Sequence, residues 1–131
     1  MFISIQINAQ YVTVGDFYFQ RELELKYPAC FDTLGRLDTT CNEILATKKY
    51  DSFKSYANSI DEIKFFKNLD TLILVAGDLN HLDLLPPKLK YIDISRNFNL
   101  SEIPDYMLVD LKYLNFLMIA ILKNLTYFLL I

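Results

Sequence analysis

The chain has a single histidine, His81, and two carboxylates, Asp78 and Asp83, lie close to it in the sequence. A histidine beside a carboxylate suits general acid–base chemistry, because an imidazole exchanges protons near neutral pH. Catalysis of that kind also needs a positioned nucleophile, and none accompanies His81. Acidic pairs such as Asp61-Glu62 are typical of a solvated surface. We therefore interpret His81 as a surface residue and expect no enzymatic activity.

Metal and cofactor sites have equally little support. Two cysteines and one histidine are too few for a four-ligand zinc site, and three glycines leave no glycine-rich phosphate loop. Cys30 and Cys41 lack the spacing of a metal motif, so we expect free buried thiols, with a disulfide between them as the alternative. No metal and no cofactor are therefore expected.

Length and charge place the chain among small single-domain proteins. It has 131 residues, 53% of them hydrophobic, and its 13 basic and 16 acidic side chains give a net charge of −3. This is enough apolar sequence for a core. No basic stripe interleaves with aromatic residues, so nucleic acid is not an expected partner. Residues 1–7 have neither the basic start nor the long apolar block of a signal peptide, which predicts a cytoplasmic location.

Leucine and isoleucine recur in one pattern in the second half of the chain. The first copy is Leu69-x-x-Leu72-x-Leu74-x-x-Gly77-x-Leu79. The second begins twenty residues later and reads Leu89-x-x-Ile92-x-Ile94-x-x-Asn97, then Leu100 and Ile103-Pro104. A period of twenty is within the range of repeat proteins. Strand side chains alternate, so the central aliphatic residues face one side; Asn97 can turn the chain and bond backbone groups, whereas Gly77 can only turn it.

The segment from Leu85 to Asn97 resembles the leucine-rich repeat family, and residues 95–104 resemble the turn and outer return of its longer variants. A third start, Leu111-x-x-Leu114-x-Phe116, follows 22 residues after Leu89. Weaker matches lie earlier, at Leu34-x-x-Leu37-x-Thr39 and at Phe53-x-x-Tyr56-x-Asn58. The resemblance implies an α/β solenoid with a curved parallel β-sheet and an irregular or helical convex side, in which each unit covers the apolar edge of the next.

We interpret residues 1–131 as one leucine-rich-repeat domain. Residues 1–33 would form an N-terminal cap resembling a β-hairpin, because residues 2–14 alternate apolar and polar side chains around a turn near residues 8–10. The pattern Val14-x-x-Phe17-x-Phe19 belongs either to this cap or to a degenerate repeat. Residues 34–68 would hold degenerate repeats with loosely helical apolar spacing, and residues 69–131 the clearer repeats and the C-terminal end.

Residues 113–131 form an almost unbroken apolar segment. It would be a last repeat with a terminal element covering the open end, an uncapped end that self-associates or binds a second protein, or a membrane anchor. Lys123 and Asn124 near its middle oppose insertion, because a charge inside a bilayer is costly. We therefore favour the first interpretation.

The resemblance also implies where a partner would bind. Residues between the leucines would point to the concave face of the sheet, which forms two neighbouring rows: Ile73, Asp93 and Asn115 in one, and Thr71, Tyr91 and Tyr113 in the other. Ser95 and Arg96 would continue the second unit. Because tyrosine and arginine are frequent at binding hot spots, we predict a protein-binding module without catalysis. The predicted contact residues are Ile73, Tyr91, Asp93, Arg96, Tyr113 and Asn115. The alternative is a small membrane-associated protein anchored by residues 113–131.

Overall fold

The computed structural model describes residues 10–103 and 111–115 of the chain. Its main element is a four-stranded parallel sheet whose strands follow chain order: β3 (Lys49–Phe53), β4 (Thr71–Val75), β5 (Tyr91–Asp93) and β6 (Tyr113–Asn115). The other described elements precede or separate these strands: β1 (Tyr11–Val12), α1 (Phe17–Lys26), β2 (Leu37–Asp38), α2 (Asn42–Ala46) and two 3₁₀ helices, Pro28–Cys30 and Asp61–Phe65. The expected α/β class with a parallel sheet is confirmed.

Alternation along the strands determines the core. In β4, Leu72 and Leu74 are buried and the residues between them are half-buried. Ile92 is buried in the same way in β5. Eight aliphatic positions of the two sequence copies are at most 7% exposed: Leu69, Leu72, Leu74, Leu79, Leu89, Ile92, Ile94 and Leu100. Ile103 of the second copy is partly buried against the same core. The predicted division between core-facing and outward-facing residues is therefore confirmed within β4 and β5.

The strands β3, β4 and β5 are each followed by a residue in the left-handed region. Lys54, Ala76 and Arg96 have φ angles of 57°, 58° and 61°, and they lie 22 and 20 residues apart. This conformation is uncommon for residues other than glycine, so it persists only where the surrounding contacts hold it.

Asn97, which follows Arg96, provides such contacts. Its side chain is 1% exposed, and its Nδ2 donates hydrogen bonds to the carbonyl oxygens of Leu74 at 2.6 Å and Ile94 at 2.8 Å. Its Oδ1 accepts a hydrogen bond from the backbone N–H of Leu79 at 3.3 Å. One amide therefore satisfies buried backbone groups after both β4 and β5, which confirms the predicted role of Asn97.

Helix α1 occupies the region that the sequence assigned to a cap or a degenerate repeat. Asp16 begins the helix, because its Oδ1 accepts a hydrogen bond from the backbone N–H of Phe19 at 3.0 Å. Phe19 and Leu23, one turn apart, are buried. The degenerate-repeat interpretation of Phe17 and Phe19 is therefore wrong, because the N-cap and this four-residue spacing produce a helix.

Three side chains of α1 and its cap fix it beside β3 and the loop that follows. Lys26 Nζ donates to the carbonyl oxygen of Asp51 at 2.5 Å, and the Tyr50 hydroxyl donates to Glu22 Oε2 at 3.0 Å. The second carboxylate oxygen of Asp16 accepts the backbone N–H of Asn58 at 2.9 Å. These bonds position the helix against the first strand of the parallel sheet.

The expected N-terminal hairpin is described only in part. Its first arm, residues 2–7, lies outside the described residues. Its second arm, residues 11–14, contains β1. Strand β1 pairs antiparallel with β2, Tyr11 with Asp38 and Val12 with Leu37. The described pairing partner of β1 is thus a strand more than twenty residues further along the chain.

The degenerate repeats expected over residues 34–68 are predicted to start at Leu34 and at Phe53. The strands of this region do not match those starts. Strand β2 pairs with β1, so Leu34-x-x-Leu37 is not a strand of the parallel sheet. Phe53 is the last residue of β3. In this strand Tyr50 pairs with Leu72 and Phe53 pairs with Val75. Tyr50 and Ala57 are buried at the positions that Leu72 and Leu79 occupy 22 residues later. The predicted pattern starting at Phe53 is therefore wrong, because Tyr50 and Ala57 take the buried positions instead.

Cys30 and Cys41 form a disulfide, with their Cα atoms 5.5 Å apart. The favoured expectation of free thiols is therefore wrong, and the alternative holds. The 3₁₀ helix Pro28–Cys30 and the turn after β2 bring the two cysteines together, where the N–H of Cys41 donates to the carbonyl oxygen of Asp38 at 3.2 Å. Eleven residues of sequence separation alone do not reveal that proximity.

The third repeat start forms β6 as predicted, with Leu114 paired to Ile92. Residues 116–131, which contain most of the apolar C-terminal segment, lie outside the described residues. In the described part of the chain, no helix has the length and apolarity needed to cross a membrane.

Candidate protein-binding surface

The parallel register brings the predicted contact residues of the strands onto one surface. Thr71 pairs with Tyr91 and Tyr91 with Tyr113, whereas Ile73 pairs with Asp93 and Asp93 with Asn115. Both predicted rows are confirmed, and β3 extends them with Lys49 and Asp51. All eight side chains are exposed or half-buried. We call this surface the open face; it consists of Lys49, Thr71, Tyr91, Tyr113, Asp51, Ile73, Asp93 and Asn115.

Two tyrosines stack at the described end of the open face. The rings of Tyr91 and Tyr113 have centroids 4.2 Å apart and planes within 4° of parallel. Tyr113 is 39% exposed and Tyr91 is half-buried. Stacked rings fix each other's orientation, so they present a flat apolar surface at little further entropic cost on binding.

The surroundings of the stacked pair favour the neutral phenol of Tyr91. Loss of hydration raises the pKa of the Tyr91 phenol above its ordinary value, and a hydrogen bond with Tyr113 and the negative charge of Asp93 raise it further. Tyr91 therefore offers a neutral hydroxyl beside an apolar ring, which is the combination that makes tyrosine effective in protein interfaces.

Asp93 stabilises the strand end as well as contributing charge. Its Oδ1 accepts hydrogen bonds from the backbone N–H and hydroxyl of Ser95, at 3.1 and 2.7 Å. Its Oδ2 accepts a hydrogen bond from Asn115 Nδ2 at 3.3 Å. Because these bonds hold both Asp93 and Asn115, the middle of the open face is preorganised.

Arg96 lies apart from the two rows. It is exposed in the turn after β5, with a φ of 61°, and is separated from the end of the strand by Ile94 and Ser95. Ser95 is only 8% exposed, so its assignment to the concave surface is wrong: its hydroxyl turns back to Asp93. The turn therefore places Arg96 at the carboxyl end of the open face instead of within it.

A second surface, which the sequence did not indicate, carries larger exposed apolar side chains. We call it the aromatic cluster; its members are Phe17, Tyr18, Leu25, Phe53 and Tyr56, each at least half exposed. The rings of Tyr18 and Tyr56 lie 5.5 Å apart, and a cavity of about 320 Å³ opens between α1 and the end of β3. The abundance of aromatics was a signal, but only the packing of α1 shows which of them remain outside.

His81 lies beside a carboxylate that is distant in sequence. Its Nε2 is 3.7 Å from an oxygen of Asp61, and its Nδ1 is hydrogen-bonded to Asn80 Oδ1 at 2.8 Å. One ligand-type atom from each of Asp61, His81 and Asp83 lies within 4.8 Å of the others. Asp61 and His81 are half-buried and Asp83 is exposed, so this group is a cluster of one imidazole and two carboxylates at the surface.

Comparison of the chain with protein-family models, with curated proteins and with solved structures finds no match. The functional interpretation therefore depends on the geometry of the two surfaces.

Proposed function

We propose that this chain is a leucine-rich-repeat domain that binds a protein through its open face and has no catalytic activity of its own. The observation that carries this proposal is the stacked pair Tyr91 and Tyr113 beside the hydrogen-bonded polar side chains Asp93 and Asn115 of the neighbouring row. A flat apolar patch with a preorganised polar border has the composition of an interface centre.

The repeat assignment is supported by features that recur at matching positions. Lys54, Ala76 and Arg96 share one unusual backbone conformation at spacings of 22 and 20 residues. Asn97 bonds to the preceding unit through Leu74 and Leu79. A solenoid is held together by such contacts between neighbouring units. In this proposal β1, α1 and β2 together form the N-terminal cap, and the units stack into a curved sheet.

Site-directed crosslinking and affinity measurements test the proposal. A photoreactive amino acid at position 91 of the full chain would identify the partner in cells, and the partner would then be purified for binding measurements. The double substitution Tyr91→Ala with Arg96→Ala should raise the Kd more than about fivefold, equivalent to more than about 1 kcal/mol, without unfolding the domain.

A matched substitution distinguishes the two surfaces. Tyr56→Ala removes an equally large exposed ring from the aromatic cluster. We expect it to leave the Kd unchanged. An unchanged Kd for the Tyr91/Arg96 variant, combined with weaker binding by Tyr56→Ala, would overturn the proposal and assign binding to the aromatic cluster.

The disulfide bears on the cellular compartment. We propose a cytoplasmic location, whereas a disulfide is typical of oxidising compartments. Alkylation of free thiols in intact cells separates the two. Because Cys30 is buried, the cells are then lysed in denaturant that contains a second alkylating agent, which labels any thiol that was reduced but shielded. Labelling of Cys30 and Cys41 by either agent would support the cytoplasm, and cysteines that neither agent labels before reduction would support an oxidising compartment.

A further inference from the structure

Lysines concentrate at one end of the parallel sheet. A cavity of about 410 Å³ opens beside the residues that precede the strands, and its lining includes Lys48, Lys88, Lys90 and Lys112 together with Asn68 and Asp70. These four lysines are exposed. We call them the lysine edge.

The strand register fixes the spacing of three of these lysines, Lys48, Lys90 and Lys112. The residues immediately before β3, β4, β5 and β6 are Lys48, Asp70, Lys90 and Lys112, and they form a continuous backbone row. The N–H of Asp70 donates to Lys48, that of Lys90 to Asp70, and that of Lys112 to Lys90, each at 2.9 Å. Neighbouring strands lie about 4.8 Å apart, so the row from Lys48 to Lys112 is about 14 Å long.

The positive charges of the lysine edge are not neutralised by the described residues. None of its four lysines forms an ion pair with them, whereas Lys26 and Lys49 both lie within 4 Å of Asp51. Lys88 Nζ donates to the neutral amide of Asn68 at 2.8 Å. Asp70 is the one carboxylate of the cavity lining.

This arrangement favours an anionic ligand. A cleft lined mainly by one sign of charge concentrates the electrostatic potential. Lys90 and Lys112 lie on neighbouring strands about 4.8 Å apart, which is less than the screening length of about 8 Å in physiological salt. The chain as a whole carries a net charge of −3, so the lysine edge is a local reversal of sign. An acidic ligand would relieve the mutual repulsion of the ammonium groups and gain attraction from them.

The length and position of the row indicate the kind of anion. About 14 Å corresponds to four or five residues of extended peptide at about 3.3 Å per residue. Lys90 and Lys112 directly precede Tyr91 and Tyr113, so the lysine edge borders the open face. We propose that the lysine edge binds an acidic segment of the protein that occupies the open face. This inference depends on the proposed function, because it assigns a charge pattern to that partner.

Fluorescence anisotropy tests the inference with labelled hexaglutamate as the probe and hexaglutamine as its neutral match. The full chain should bind hexaglutamate, and the affinity should fall as salt is raised. The variant Lys90→Glu with Lys112→Glu should lose at least tenfold in affinity. The control variant Lys54→Glu with Lys64→Glu makes the same change in net charge away from the cavity and should lose less than threefold. Circular dichroism would verify that both variants are folded.

Three results would overturn the inference: equal binding of hexaglutamine, equal losses in the two charge-reversal variants, or tighter binding of inorganic triphosphate or anionic vesicles than of hexaglutamate. The crosslinked partner separates this inference from the proposed function. A partner weakened by the Tyr91/Arg96 substitutions but unaffected by Lys90→Glu with Lys112→Glu would leave the open face as the binding surface and remove the lysine edge from it.

Discussion

Gly77 leaves the space that the side chain of Asn97 occupies. A Cβ atom at Gly77 would lie 3.0 Å from Asn97 Oδ1 and 3.0 Å from the carbonyl oxygen of Ser55. Ser55, Gly77 and Asn97 follow one another at spacings of 22 and 20 residues, so they occupy corresponding positions in the three turns. The absence of a side chain at the middle position lets one asparagine serve two turns.

Gly77→Ala should therefore destabilise the domain. Both neighbours of the added methyl group are hydrogen-bonded, since Asn97 Oδ1 accepts from Leu79 and the Ser55 carbonyl accepts from Asp78. Overpacking of this kind costs about 1–3 kcal/mol, measured as the free energy of unfolding in urea. Gly15→Ala is the control, because its Cβ would meet Glu62 at an ordinary 3.7 Å. Equal stability of the two variants would contradict the close approach.

Asn97→Ala should be more damaging, because it leaves the buried carbonyl oxygens of Leu74 and Ile94 and the N–H of Leu79 without a partner. Each unsatisfied buried group costs about 1–3 kcal/mol, so we expect a loss of about 3 kcal/mol or more in the free energy of unfolding. Asn99→Ala removes a similar side chain from the exposed part of the same turn and should change stability by less than about 0.5 kcal/mol. A small effect of Asn97→Ala would show that water or relaxation replaces these bonds.

Reduction of the disulfide should lower stability. Cys30 and Cys41 close a loop with a sequence separation of 11, and a cross-link of that length stabilises a fold by about 3 kcal/mol, largely by restricting the unfolded chain. Urea unfolding with and without dithiothreitol measures this difference. The double variant Cys30→Ala with Cys41→Ala should resemble the reduced protein and be insensitive to the reductant. A wild-type curve that does not respond to reductant would indicate that the bond contributes nothing to stability.

Tyr50 should make the domain sensitive to alkali. It is 1% exposed, and burial, followed by the charge of Glu22 and the hydrogen bond to it, raises its pKa far above the ordinary value. The unfolded chain releases this proton near pH ~10. The folded state keeps the proton, so its stability is complete below that pH and falls as the pH rises further. The urea midpoint of the wild type should drop between about pH 9 and 11, and Tyr50→Phe should reduce that drop, whereas Tyr56→Phe, at an exposed ring, should not.

Much of the parallel sheet could be predicted from residues 69–115. Leu72, Ile92 and Leu114 fall at matching spacings, and a one-residue error in register would turn every one of them outward. The two rows of the open face follow from the same register, which is why Tyr91 and Tyr113 could be placed together without a structure.

Strand β3 could not be predicted, because the aliphatic pattern is replaced there. Tyr50 fills its position by packing its ring against Phe19 and Phe66, at centroid distances of 6.1 and 5.9 Å. Such compensation depends on α1 and the 3₁₀ helix before Phe66, which are distant in sequence. The aromatic cluster and the lysine edge escaped prediction for the same reason: whether a ring or an ammonium group is exposed depends on which elements pack beside it.

The bond between Lys26 and the carbonyl oxygen of Asp51 also bears on aggregation. Among the described residues β3 is the outermost strand of the sheet, and Lys26 of α1 occupies one of its backbone acceptors, the carbonyl oxygen of Asp51. Unprotected borders of this kind are templates for fibril growth. A shortened chain that starts after Lys26 would leave the five residues of β3 without that contact, beside the already exposed rings of Phe53 and Tyr56. The first helix thus opposes the addition of another chain to the sheet, through Lys26, as well as packing Phe19 and Leu23 into the core.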